Sequence, residues 1–124
     1  MGCCGWGRDT REPDALAAPL PGASLVEQRR MSAAVELNTA TGGASLCRLE
    51  GSPGVKRAEG ALAALSEVHR LLGRSTRFDP AEGAATVLTQ WRDHRVAAER
   101  LGPAWVAYRD GGIAALESLQ EDLR

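Results

Sequence analysis

Residues 79–103, DPAEGAATVLTQWRDHRVAAERLGP, carry a complete set of helix instructions. Asp79 is a residue type that accepts a hydrogen bond at a helix N-cap, and Glu82 completes a capping box with it. Pro80 suits the first helical position, where its missing N–H is not needed, while Gly102 stops a helix and Pro103 prevents its return. Between these signals Ala84, Val87, Leu88, Trp91, Arg95, Ala98 and Leu101 recur at three- and four-residue steps, which puts them on one face. Arg92, Asp93, Glu99 and Arg100 fall elsewhere around the helix. Arg95 is expected to lay its methylenes along the core edge and keep its guanidinium in water.

The neighbouring segments follow the same grammar. In SPGVKRAEGALAALSEVHRLLG, residues 52–73, Ser52 can cap, Pro53 takes the first position and Gly73 supplies a stop. Val55, Ala58, Leu62, Leu65, His69 and Leu72 form its apolar stripe, with Gly60 a weak point of up to about 1 kcal/mol against alanine. Upstream, Ser24 and Glu27 have the spacing of a capping box, and helix-favouring residues run to about Asn38, before Gly42 and Gly43. A hairpin pairing AAVELNT (33–39) with ASLCRLE (44–50) is the competing reading of this stretch. Downstream, PAWVAYRDGG gives a short helix from Pro103, and GIAALESLQEDLR gives a last one with Ile113, Leu116, Leu119 or Gln120, and Leu123 on one face. The expected architecture is therefore all-α, a small bundle or orthogonal array of four to five short helices over residues 24–124. Residues 1–23, broken by Pro13, Pro19, Pro21 and several glycines, read as a disordered tail.

Composition agrees with that class and removes others. The 124 residues are 44% hydrophobic but only 4% aromatic, and alanine is the commonest type, which favours helices over strands. Fourteen arginines accompany the single lysine, Lys56, a bias shared with GC-rich coding sequences generally. A net charge of −1 gives no electrostatic footprint for nucleic acid. No segment approaches the ~20 apolar residues of a transmembrane helix. Neither a signal peptide nor a C-x-x-C is present, and three cysteines make no disulfide framework, so a reducing cytoplasm is expected.

The N-terminal MGCCGWGRDT raises the question of a lipid anchor. N-myristoylation requires Ser or Thr at the sixth position, and Trp6 stands there, so Gly2, Cys3 and Cys4 are not expected to be acylated. Cys3, Cys4, Cys47, His69 and His94 lack the two-to-four-residue spacing of zinc ligands, so no metal site is expected. No nucleophile elbow, phosphate-binding loop or cofactor motif occurs, which leaves neither a cofactor nor a catalytic set to assign. Cys47, among apolar neighbours in SLCRLE, reads as buried. A small enzyme would have to assemble its site in space around His69 or His94. His69 on its stripe reads as a partly buried core histidine.

WVAYRDGGIAALESL, with VAAERLG before it, resembles the helix-turn-helix region of bacterial insertion-element transposases over residues 96–119. That resemblance implies a DNA-binding module across residues 94–119, with Arg95, Arg100 and Arg109 as contacts. The family places a whole recognition helix after the turn, whereas only Pro103 and Ala104 precede Trp105. The preferred expectation is a non-enzymatic interaction or regulatory protein acting through helix-mediated contacts with a protein partner or a second copy. Its core and partner face would draw on Leu62, Leu65 and Leu72, with Trp91, Arg95, Trp105 and Tyr108 as the candidate face. Trp105, set among Pro103, Ala104 and Ala107, suits a surface hollow.

Overall fold

The computed structural model describes residues 22–42, 52–74 and 79–124. They form four α-helices and no strand: α1 (Ala23–Thr41), α2 (Pro53–Arg74), α3 (Pro80–Leu101) and α4 (Pro103–Leu123). Residues 33–39 are helical, and the proposed second strand at 44–50 lies outside the described residues, as do residues 1–21 of the expected N-terminal tail and all three cysteines, whereas the last two residues of that tail, Gly22 and Ala23, cap and open α1.

The capping box of α3 forms as expected. Glu82 N–H donates to Asp79 Oδ1 at 2.8 Å, and Asp79 N–H donates back to Glu82 Oε1 at 3.3 Å. Gly102 closes the helix with its N–H on the Ala98 carbonyl at 3.2 Å. Its φ of +120°, reserved for glycine, lets α4 begin at once at Pro103. The expected box at Ser24 does not form. Gly22, at φ +92°, occupies the N-cap of α1 without a side-chain cap, which moves Ser24 into the first turn. Glu27 serves Arg30 and His69 instead.

The core comprises Val26 and Ala33 of α1, Ala64, Leu65 and Val68 of α2, Ala84, Val87, Leu88 and Trp91 of α3, and Leu116 and Leu119 of α4. On α3 the apolar members of the expected stripe are buried from Ala84 through Ala98, with Arg95 half-buried at its edge, but Leu101 is 65% exposed because the last turn runs past its neighbours. On α2 the buried face is Val55, Gly60, Ala64, Leu65 and Val68, rotated from the stripe read in the sequence. Leu62 and Leu72 become half-buried walls and His69 turns into solvent. That rotation comes from small residues, which face the neighbouring helix because they allow the closest approach.

The same cause makes residues 103–123 one helix and not two. Gly111 and Gly112 are the type that ends helices, yet α4 passes straight through them. A Cβ at Gly111 would overlap the Arg57 carbonyl oxygen and sit 2.7 Å from its carbonyl carbon. One at Gly60 would overlap the Tyr108 carbonyl oxygen and come within 3.2 Å of Gly112 N. The backbones of α2 and α4, the most extensively paired helices, thus meet directly at three missing side chains. Each glycine carries a helix penalty of about 1 kcal/mol, which this contact outweighs.

Substitution should therefore reverse the usual propensity order. Gly60→Ala and Gly111→Ala are expected to destabilise the fold by about 1–3 kcal/mol in urea unfolding, since rigid backbone must move apart. Gly54→Ala, where nothing lies within 4 Å, should be neutral or stabilising by up to about 1 kcal/mol. Equal effects at all three positions would contradict the close contact.

Candidate functional site

An aromatic line leads from the core to the surface. Trp91 projects from the inner stripe of α3 and is 1% exposed. Its ring lies where a side chain at Gly112 would stand, 2.5 Å from Trp91 Cε3, so Gly112 makes the space that the indole fills. Its Nε1–H donates to Glu67 Oε1 at 3.0 Å, which satisfies the one polar group the ring brings inside. Tyr108 stacks on Trp91 with centroids 5.3 Å apart, and Trp105, one turn earlier on α4, meets Tyr108 edge-on at 5.7 Å. The Arg109 guanidinium covers Trp91 at 4.4 Å from its ring centre. Trp105 remains 49% exposed, so a large apolar ring is held on the surface by a chain of contacts anchored in the core.

Trp105 borders a groove of about 460 Å³. Leu37 of α1, Lys56, Glu59, Leu62 and Ala63 of α2, and Ala104, Trp105 and Tyr108 of α4 line it. The lining is mostly apolar. Its one cation and one carboxylate neutralise each other, with Lys56 Nζ 3.0 Å from Glu59 Oε1. Burial pushes the Tyr108 phenol above its ordinary value, so it stays neutral. An open apolar hollow with an aromatic wall and no net charge suits apolar side chains.

The structure brings Trp91, Tyr108 and Trp105 together, but only Tyr108 and Trp105 reach the groove. Arg95 turns elsewhere: its Nε–H donates to Asp110 Oδ1 and its Nη1–H to Glu99 Oε2, both at 2.7 Å, and these bonds hold the guanidinium pKa above its usual value. Arg100 is exposed. The transposase-like segment 96–119 is divided between the last turns of the 22-residue α3 and most of the 21-residue α4. His94 is exposed, and His69 lies on the surface with Nε2 2.9 Å from Glu27 Oε1. Neither histidine lines the groove, and among the described residues no three metal-ligand side chains cluster. Leu37, Lys56, Glu59 and Ala63 are groove residues that the sequence did not single out. They come from α1 and α2, and they meet Trp105 only because the glycine contact holds α4 against α2.

Comparison with known protein families, with curated proteins and with solved structures finds no match. Among the described residues no helix is long and apolar enough to cross a membrane.

Glu27 links α1 to α2 and supplies a pH dependence. It accepts Arg30 Nη2–H at 2.9 Å and Nε–H at 3.2 Å, and these bonds hold its carboxyl below the ordinary value, with a further contribution from nearby His69. A carboxylate depressed in the folded state stabilises it above the ordinary carboxylate range, and that contribution is lost as pH falls through the depressed value. The thermal midpoint of Glu27→Gln should therefore lie below that of the wild type at neutral pH and converge with it in acid. A pH-independent gap would assign Glu27 a packing role alone.

Proposed function

We propose that this is a non-enzymatic interaction protein of the cytoplasm that receives an apolar helical segment of a protein partner in the groove beside Trp105. The observation that carries the reading is the half-exposed Trp105, fixed by Tyr108 and Trp91 at the mouth of an open apolar hollow. A pre-positioned indole loses little freedom when it is covered, which is why tryptophan is enriched among residues that dominate binding energy. A helix that presents large apolar side chains one turn apart fits such a hollow. The chemistry of the lining favours this over catalysis: Lys56 and Glu59 are paired to each other, and Tyr108 is held neutral. DNA binding through Arg95 and Arg109 finds less support, since the first is bonded to two carboxylates and the second is stacked on Trp91.

The test is a photo-crosslinking residue placed at position 105 and, as a control, at exposed Arg92. A discrete polypeptide adduct is expected from position 105 and not from 92. Leu62→Arg, which places a charge in the groove wall, should reduce the adduct by at least about tenfold, equivalent to ~1.4 kcal/mol of binding, without changing the circular dichroism of the fold. Indistinguishable adducts from the two positions, or none from 105, would overturn the proposal.

A further inference from the structure

We infer that the occupant of the groove is α1 of a second copy of this chain, in a closed two-fold dimer; the inference rests on the reading of the groove as a helix-docking site. Residues 31–41 of α1 contain one charged side chain, Glu36, in a chain that is 25% charged. Past Ala33, no residue of α1 is buried. Met31 and Val35, one turn apart, are 56% and 65% exposed and form an apolar ridge along the outside of the helix. Ala34 and Asn38, both exposed and uncharged, join that ridge to Leu37, which lines the groove. Residues three and four apart are neighbours on a helix, so ridge and hollow form one continuous uncharged surface.

Three arguments select a second copy as the occupant. A patch that contains both a ridge and a hollow is complementary to itself, and a two-fold rotation seats each ridge in the opposite groove and closes the assembly. Two-fold contact also brings any charge near the axis close to its own duplicate, where like charges repel. The one charge of this helix half, Glu36, borders a different hollow beside Arg29 and Ser32 and stands off the ridge. Finally, the Met31–Val35 ridge brings no charge into the groove and leaves the Lys56–Glu59 pair undisturbed, whereas a charged partner would lose hydration against apolar walls and find no counter-charge. Depletion of charge at the centre of a contact is the compositional mark of interfaces.

Analytical ultracentrifugation of the full chain at micromolar concentrations tests this. The wild type should sediment at twice 13.1 kDa. Val35→Glu on the ridge and Trp105→Ala in the groove should each raise the dissociation constant by at least about tenfold, with circular dichroism unchanged. An equimolar mixture of these two variants should recover dimer, because one ridge–groove contact in the mixed pair is intact. A wild type that stays monomeric while position 105 still crosslinks to another polypeptide would overturn the dimer and leave the groove reading standing. Loss of both would remove both. A dimer insensitive to both variants, or an open series of larger assemblies, would likewise exclude the closed contact.

Discussion

The direct backbone contact between α2 and α4 is the constraint on which the other features depend. Gly60, Gly111 and Gly112 have no side chain to interpose, so the Tyr108 carbonyl rests on one helix and the Arg57 carbonyl on the other. That separation sets where Tyr108 leaves α4 and how deep Trp91 sits against Gly112. It also fixes the distance between the Leu62 and Trp105 walls of the groove. Interiors are packed closely enough that widening one contact by a methyl group is felt at its neighbours. The aromatic line and the groove are thus both consequences of the same three absent side chains.

This also explains which parts of the fold were legible in the sequence. α3 was read almost whole, because its signals are local: a carboxylate that bonds its own first turn, a glycine and proline at the end, and an apolar repeat. Only Leu101 departed, since nothing in its own helix says where the neighbouring helices stop. α2 was recognised as a helix but its face was misjudged. A reading that follows large residues selects Leu62 and His69, whereas the closest neighbour lies over Gly60 and Ala64. Gly111 and Gly112 were misread for a related reason. Glycine weakens a helix locally, and only a facing backbone turns that weakness into a requirement.

The groove was the least legible part. Trp105 could be marked from its small neighbours, but Leu37, Lys56, Glu59 and Ala63 meet it only after three helices assemble. Arg95 shows the converse case. Its place on the α3 stripe was clear and Glu99 stands one turn on in the same helix, but its second partner, Asp110, lies on α4 and could not be read from α3 alone. Charged side chains on helices can look available in a sequence and be fully occupied in space.

Trp91 and Trp105 share one stacked path through Tyr108 yet live in opposite solvents, one sealed and one half in water. An indole emits at shorter wavelength when dry than when wet, so the two give distinguishable fluorescence. The sealed ring reports whether the helices stay together, and the wet ring reports what lies over the surface. Their ring centres stand 5.3 and 5.7 Å from that of Tyr108, separations short enough for excitation to pass between them, so a change over the surface ring reaches the interior signal as well. With Trp6 replaced, the two indoles form an optical gauge of the helix packing and of the groove's surface, built from residues already in place.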